Sequence, residues 1–303
     1  MNRLTIGSRG SDLALKQTNH VKKILQEAYP DLNIEIKVIK TKGDLNLEKT
    51  IEDLGGKSAF TSELENQILK NNIDIAVHSL KDLPINLMDG LIYLGSPDRE
   101  DVRDVFISNK WNCIGDIPRN GVIATGSIRR KAQLLSFRPD LNIKNLRGNI
   151  DTRLKKLNNS DWDGIITAAA AMHRLDLNER ISQYLDVEDF VPAACQGALG
   201  IEINSNNNLT SMLSSIVDAN VTLCCKAERL FLSRMENGCF APIGCLANIN
   251  MNQEFSITGY VASRDGEKEL KKTMIGNIES YEELAINLAD YLINCGAKKI
   301  IAC

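Results

Sequence analysis

The chain has no long hydrophobic run and no excess of charge of either sign. Its longest uncharged apolar stretch, residues 164–172, is far too short to cross about 30 Å of hydrocarbon, which excludes a membrane-spanning helix. Because 36 basic and 39 acidic residues give a net charge of −3, the chain also lacks the basic surplus of a general nucleic-acid binder. Arg9 falls where the apolar centre of a signal peptide would lie, so we expect a cytoplasmic protein.

Cysteine and histidine are too scattered for a metal site. None of the eight cysteines forms a C-x-x-C pair, and the three histidines lie far from them in sequence, so we expect no metal. In a reducing compartment the cysteines are expected to be free thiols. The 303 residues, 43% of them hydrophobic and 25% charged, are typical of a soluble globular protein of two domains or three small ones.

Apolar runs alternate with helical patterns along the first two thirds of the chain. The predicted strands are 4–8, 34–39, 73–78, 104–108, 121–126, 142–146, 164–167 and 198–203, and the predicted helices are 12–28, 61–70, 128–137 and 150–157. Strands that alternate with helices indicate mainly parallel sheets in an α/β fold.

The last third of the chain has a different order of elements. We predict helices at 221–235 and 281–294 and strands near 245–249, 254–263, 269–275 and 299–302. A long helix followed by neighbouring strands and a second helix predicts a small α+β domain.

Arginine is concentrated in one part of the chain, because ten of the 15 arginines lie between residues 99 and 180. Guanidinium groups suit bidentate recognition of carboxylates or phosphates, although a solvated basic surface would give the same count. Segments 6–9 and 124–130 each lead from a strand end through Gly-Ser into a helix N-terminus that carries arginine. Such helix ends favour anions, so the two segments predict a cleft between two α/β units that binds acidic groups.

Two further segments are candidates for polar chemistry. The GGKS run at 55–58 suggests a phosphate loop, but Ile51 stands where that loop needs glycine, so we reject nucleotide binding. Asp82 follows a predicted strand end beside Lys81, where a carboxylate could move protons or stabilise a cation. The alternative for Asp82 is a hydrogen bond to the turn before Pro84.

The loop ENGCFAPIG, residues 236–244, presents a cysteine among small residues. An accessible thiol there would be a nucleophile or a covalent attachment point. An inert, buried Cys239 is the alternative.

Together these segments resemble the hydroxymethylbilane synthase, or porphobilinogen deaminase, family. Landmarks of the family occur in its order over nearly the whole chain: IGSRGSDLAL, GGKSAF, DIAVHSLKDLP, DREDVRD, TGSIRR, LRGNIDTRL, AACQGALGIE and ENGCFAPIG. The combination of HSLKDLP, LRGN-x-x-TRL and GC-x-x-PIG is highly specific. The last third is matched through its cysteine loop and general layout.

The resemblance implies a transferase that condenses four porphobilinogen units head-to-tail, with loss of ammonia, into hydroxymethylbilane in haem and other tetrapyrrole biosynthesis. It implies an α/β fold of three domains: two periplasmic-binding-protein-like α/β domains flanking a cleft and a small α+β C-terminal domain. The implied domains are 1–98 with 198–216, 99–197, and 217–303. A monomer with no nucleic-acid or membrane partner is expected.

The resemblance also implies roles for individual residues. Asp82 would be catalytic, and a dipyrromethane cofactor would be bound by a thioether to Cys239. The other implied cofactor-binding residues are Lys81, Asp82, Ser127, Arg129, Arg130 and Arg147. The implied substrate-binding residues are Arg9, Ser11, Lys57, Thr125, Arg147, Arg153, Arg174 and Gln196. The chain departs from the commoner family wording at Asp12, Ser58-Ala59, Gly126 and Asp151; Gly126 stands where serine is frequent.

The implied chemistry needs no activated protein nucleophile. Loss of ammonia gives an electrophilic azafulvenium, and an electron-rich pyrrole attacks it, so protein groups need only move protons and stabilise a cation. The alternative function is a non-catalytic organic-acid binding module of the periplasmic-binding-protein fold. That alternative would predict a signal peptide or a fused DNA-binding domain, and it gives the loop of Cys239 no role.

Overall fold

The computed structural model of the chain describes residues 3–45, 56–235 and 241–302, and for residues 44, 45, 56 and 57 it describes the backbone alone. In the described residues the strands are β1 (Arg3–Ser8), β2 (Asn33–Val38), β3 (Ile75–Ser79), β4 (Leu91–Gly95), β5 (Asp104–Ile107), β6 (Val122–Ala124), β7 (Asn142–Lys144), β8 (Gly164–Ala168), β9 (Gln183–Tyr184), β10 (Leu199–Asn204), β11 (Ile243–Ile249), β12 (Glu254–Ala262) and β13 (Glu269–Asn277). The helices are α1 (Asp12–Ala28), α2 (Lys42–Leu45), α3 (Ser62–Leu69), α4 (Ile128–Phe137), α5 (Ile150–Asn158), α6 (Ala169–Arg174), α7 (Thr210–Ser214), α8 (Ala219–Met235), α9 (Tyr281–Asn294) and α10 (Ala297–Ala302).

The chain divides into two compact units. Unit 1 comprises Met1–Glu100 and Gly197–Thr222, and unit 2 comprises Asp101–Gln196 and Leu223–Cys303. Among the described residues, each unit contains a five-stranded sheet, and unit 2 also contains a three-stranded one. The three implied domain boundaries stay a prediction.

The sheet of unit 1 has the order β2-β1-β3-β10-β4. β1 pairs in parallel with β2 and β3, whereas β10 is antiparallel to β3 and β4. Helix α1 covers one face, where its Val21 and Leu25 pack on apolar side chains of β1 and β10. Helix α3 covers β3 with Leu64 and Ile68. This arrangement places the polar end of β3 at the edge of a buried apolar layer.

Unit 2 has a sheet of order β7-β6-β8-β5-β9, in which β6 is parallel to β7 and β8 and β5 is antiparallel to β8 and β9. Strands β11, β12 and β13 form the second, antiparallel sheet of this unit. The buried side chains Phe255 and Leu288 belong to β12 and α9, which lie together in this part of the unit. Two helix-flanked mixed sheets and a small α+β part confirm the expected fold class.

Two predictions about the elements were wrong. Residues 299–302 are part of helix α10 and not a strand, because Gly296, at φ +98°, ends α9 in a left-handed conformation and the chain restarts as a helix at the buried Ala297. The five-stranded sheets are mixed and not mainly parallel. In unit 1 the antiparallel pairs arise because β10, which comes late in the chain, fills the position between β3 and β4.

Candidate functional site

Asp82 lies in a one-turn 3-10 helix, Leu80–Asp82, that directly follows β3. The neighbouring Leu80 and Leu83 are buried, and the Leu83 N–H donates to the Leu80 carbonyl at 3.1 Å, which fixes the turn. Within the described part of the chain, no group donates a hydrogen bond to the Asp82 carboxylate. The structure therefore gives this carboxylate no turn-capping contact and leaves its acceptor positions available.

A pocket of about 50 Å³ lies beside this turn, within unit 1. It is lined by Arg9, Ser11, Leu13, Ala14, Gln17, Phe60, Thr61, Val77, His78, Ser79 and Asp82. Ser11 caps α1, since its side chain accepts a hydrogen bond from the Ala14 N–H at 3.3 Å. The guanidinium of Arg9 lies over the Phe60 ring, 4.5 Å from its centroid. The pocket thus brings together three residues chosen from the sequence: Arg9, Ser11 and Asp82.

The wall of this pocket includes a histidine that the sequence analysis did not choose. His78 Nε2 lies 2.9 Å from Glu202 Oε2, and both side chains are almost wholly buried. Burial and the neighbouring Glu202 carboxylate raise the pKa of Glu65, on α3, above its usual value. Glu65 Oε1 and Glu202 Oε1 are buried without a hydrogen-bond partner among the described residues.

In unit 2, the N-terminus of α4 presents the second Gly-Ser segment. Ser127 caps the helix by accepting from the Arg130 N–H at 3.4 Å, and the Ser127 N–H donates to Thr125 Oγ1 at 3.2 Å. A Cβ added to Gly126 would lie 2.4 Å from the Leu146 carbonyl oxygen. The serine that is frequent in the family therefore does not fit this backbone. Glycine at position 126 allows the chain to pass close to the backbone of Leu146.

Arg129 and Arg130 are bound by a single carboxylate, Asp104, at the start of β5. Arg129 Nη1 donates to Asp104 Oδ2 at 2.8 Å, and Arg130 Nε and Nη2 donate to Oδ1 at 2.9 and 2.7 Å. Gln196 Nε2 donates to the same Oδ1 at 2.8 Å. Burial alone would raise the pKa of Asp104, but the two guanidiniums outweigh it and hold the pKa well below its usual range.

Asp104 is the clearest functional residue that the sequence analysis missed. It stands in the quoted segment DREDVRD, among the concentrated arginines. A carboxylate at the start of an apolar strand within an arginine-rich region was the available signal, because a charge there needs a partner once it is buried.

The remaining predicted arginines differ from this pair. Arg147 Nη1 is buried with no hydrogen-bond partner among the described residues, although the Arg147 carbonyl accepts from Lys156 Nζ at 3.1 Å. Arg153 Nε donates to the Gly148 carbonyl at 2.8 Å, and Arg174 ends α6. Arg147 is therefore the predicted arginine with the clearest unused donor.

Two of the predicted site residues, Cys239 and Lys57, have side chains outside the described part of the chain. Cys239 lies outside the described residues, between Met235, at the buried end of α8, and the buried Ile243 that begins β11. The side chain of Lys57 also lies outside them, while Lys81 is half-buried in the turn of Asp82.

The described residues contain neither a metal-binding group of side chains nor a membrane-spanning helix. Over residues 3–45, 56–235 and 241–302, no group of three or more His, Cys, Asp or Glu side chains is arranged to hold a metal ion. Over the same ranges, no helix combines the length and apolar character needed to span a membrane.

Comparisons with known proteins cover almost the whole chain. A model described as "Porphobilinogen deaminase, dipyromethane cofactor binding domain" matches residues 4–212, and one described as "Porphobilinogen deaminase, C-terminal domain" matches residues 222–294. The porphobilinogen deaminase of Francisella tularensis subsp. holarctica (strain OSU18) is 46% identical, over 99% of each chain. That of subsp. novicida (strain U112) is 45% identical over the same shares. Among solved structures, the methionine binding protein MetQ aligns with 75% of this chain and 95% of its own, at 11% identity and a TM-score of 0.47.

Proposed function

The chain belongs to the porphobilinogen deaminase family, and on that premise we propose which of its residues carry each part of the reaction. The activity is that of a transferase in tetrapyrrole biosynthesis: four porphobilinogen units are condensed head-to-tail, with loss of ammonia, on a dipyrromethane cofactor. This activity excludes the alternative of a non-catalytic organic-acid binding module.

Asp82 is the central catalytic residue of the proposal. The observation that carries it is a carboxylate that accepts no hydrogen bond from the described residues, in a pocket shared with Arg9 and Ser11. An ionised carboxylate beside the reacting carbon stabilises the azafulvenium and the cation that follows carbon–carbon bonding. It also accepts a hydrogen bond from the departing amine. A charge pair at about 4 Å contributes roughly 4 kcal/mol at an effective dielectric of 20, enough for a rate factor near a thousand.

Cationic side chains hold the acetate and propionate groups of the substrate and of the growing chain. Two groups of donors support this proposal. The half-buried Arg147 has a guanidinium that makes no hydrogen bond to the described residues, and Ser127 and Thr125 lie at a helix N-terminus. Arg129, Arg130 and Gln196 act from the fixed positions that Asp104 gives them. Arg9, Ser11 and Lys57 serve the same purpose in unit 1, and Arg153 and Arg174 in unit 2.

Cys239 is the proposed attachment point of the dipyrromethane. The other proposed cofactor-binding residues are Lys81, Asp82, Ser127, Arg129, Arg130 and Arg147. When bound, the dipyrromethane supplies the electron-rich pyrrole carbon that attacks the first substrate unit. The protein side chains orient its carboxylates and keep the charge beside the reacting carbon. This assignment relies on the loop ENGCFAPIG, of which residues 236–240, including Cys239, lie outside the described residues.

The intact mass of the purified protein tests the attachment point. We expect wild type to carry an adduct of two pyrrole units and Cys239→Ser to carry none and to be almost inactive. Cys295→Ser is the matched control, because Cys295 is an exposed free thiol and should leave the adduct in place. An adduct that persists in Cys239→Ser and disappears in Cys295→Ser would overturn the assignment.

We also propose that the protein acts as a monomer in the cytoplasm and binds no nucleic acid. The net charge of −3 supports the last point. Sedimentation of the holoenzyme should give the mass of one chain, and a concentration-dependent dimer would contradict the monomer.

A further inference from the structure

The chemistry of each condensation releases a proton that the proposed roles do not assign. When the attacking pyrrole forms the new carbon–carbon bond, its α-carbon must lose a proton so that the ring recovers its aromatic electrons. Asp82 is poorly suited to take that proton, because protonation would remove its charge while a cation still stands beside it. A separate base in the same pocket would solve this conflict.

His78 lies where such a base is needed. It lines the pocket together with Asp82, and its ring is only 5% exposed. Its Nε2 lies 2.9 Å from Glu202 Oε2. Its Nδ1 makes no hydrogen bond within the described part of the chain, and it is not one of the fully buried side-chain atoms that lack a partner. A histidine with a carboxylate on one ring nitrogen and the other nitrogen free is the arrangement of a general base, since the carboxylate fixes the ring and stabilises the imidazolium.

The fold explains how the pair forms. β3 and β10 are antiparallel, with His78 opposite Gly200 and Glu202 opposite Ala76, so His78 and Glu202 lie on the same face of the sheet. A Cβ added to Gly200 would lie 2.8 Å from Leu80 Cδ1, so the glycine leaves room for Leu80 in the turn of Asp82. The same face carries Ala76 against α3, where Glu65 is also buried.

A second buried acid, Glu65 on α3, lies close enough to Glu202 to interact with it electrostatically. Glu65 and Glu202 are both buried and each has an oxygen without a partner among the described residues, so two ionised carboxylates would repel there. Burial and the neighbouring Glu202 raise the pKa of Glu65, so the protonated form of Glu65 is favoured relative to an exposed glutamate.

We propose that His78, supported by Glu202, is the base that removes the α-proton of the attacking pyrrole in each condensation. The inference rests on the proposed role of Asp82 in the same pocket. The carbon–hydrogen bond breaks, its electron pair returns to the ring, and the proton moves to Nδ1 of His78. The imidazolium then gives that proton to the released ammonia, which leaves as ammonium and restores neutral His78.

The test is steady-state turnover of the holoenzyme with porphobilinogen deuterated at its unsubstituted α-carbon, since each added unit becomes the attacking ring of the next condensation. We expect His78→Gln to be roughly 100- to 10,000-fold slower and to show a primary isotope effect that wild type lacks. Glu202→Gln keeps the imidazole and should show a smaller slowing with the same isotope effect. His20→Gln is the matched control, because His20 is an exposed histidine paired with Asp98 outside the pocket, and it should match wild type.

Each result decides the proposal. A rate of His78→Gln within threefold of wild type, or a slow variant without an isotope effect, assigns His78 a structural role and overturns it. If His78→Gln does not fold, as judged by thermal unfolding, Glu202→Gln is held to the same isotope criterion. If the proposal for His78 fails, the proposed role of Asp82 still stands. That role is tested separately by Asp82→Asn, and near-normal condensation by Asp82→Asn would contradict it.

Discussion

Asp82 in unit 1 and Asp104 in unit 2 are carboxylates at strand ends, and the structure treats them in opposite ways. Asp104 is wholly buried and accepts hydrogen bonds from two guanidiniums and an amide. Asp82 borders a pocket and accepts none from the described residues. A saturated carboxylate can position other groups but has no acceptor left for a substrate. An unsaturated one costs stability and is available for chemistry.

The arginines of unit 2 repeat this contrast. Arg129 and Arg130 are already paired with a carboxylate, and Arg138 is held by Asp140 and by two backbone carbonyls. Arg147 keeps a buried donor without a partner in the described residues. Arg129, Arg130 and Arg138 are therefore held in place by protein acceptors, and Arg147 is the arginine that we propose to bind a carboxylate of the substrate.

The largest effect is expected at the unsaturated carboxylate. Asp82→Asn keeps the shape of the side chain and loses the charge, so we expect single-turnover condensation to fall about a thousandfold while substrate binding changes little. Asp82→Glu keeps the charge but displaces it by one methylene, and it should retain a small residual rate. Near-normal condensation by Asp82→Asn would erase the difference between the two carboxylates.

Asp104→Asn should mainly lower the stability of the folded protein. The variant leaves two buried guanidiniums without their carboxylate, and we expect the free energy of unfolding in urea to fall by about 3–5 kcal/mol. Asp290→Asn breaks the exposed pair of Arg234 and Asp290 in the same unit and should cost about 0–1 kcal/mol. Equal losses in the two variants would show that Asp104 does not hold the site together.

Arg147→Leu should weaken substrate binding more than it weakens folding. Loss of one charge-assisted hydrogen bond of about 1.5–3 kcal/mol corresponds to roughly 10- to 150-fold in affinity. Native mass spectra should show partly built chains accumulating on this variant and on Arg153→Leu. Arg180→Leu is the better control, because Arg180 is bonded to two exposed asparagines, whereas Arg138 has a scaffold role. A normal distribution of complexes in Arg147→Leu would contradict its role.

The smallest effect is expected for Glu65→Gln. Burial and Glu202 raise the pKa of Glu65, so folding favours its protonated form and the folded state loses stability as the pH rises above the unfolded-state pKa of about 4. The amide side chain that replaces Glu65 carries no charge at any pH. Its unfolding temperature should equal that of wild type at pH 4 and exceed it slightly at pH 8. Glu27→Gln, on the exposed face of α1, should show no such trend.

The sequence predicted local structure well wherever a helix has clear end signals. Helices α1, α4 and α9 have the predicted bounds. A serine caps the first turn of α1 and of α4, a proline follows each of these two helices, and Gly296 follows α9. β4 was missed, since five residues between turns give little periodicity. Residues 299–302 are apolar enough for a strand, and their helical state depends on the left-handed Gly296 and on the burial of Ala297 in α10.

The candidate site was predictable where one motif contains the residue and its geometry. Asp82 was chosen from its position after a predicted strand together with the family resemblance of HSLKDLP. The Asp104 cluster and the pair of His78 and Glu202 join residues far apart in the chain: Gln196 is 92 positions from Asp104, and Glu202 is 124 positions from His78. Such partners are set by sheet order and register, which periodicity does not specify.

The place of β10 in the sheet has a consequence for protein synthesis. β3 and β4 flank β10, so both have an unpaired edge until the ribosome has translated residues 101–196 and then β10 itself. At ordinary translation rates this delay is roughly 5–20 s. During that time the nascent chain displays two apolar strand edges that invite association with other chains. We therefore expect unit 1 to need protection by chaperones at the ribosome until β10 has been translated.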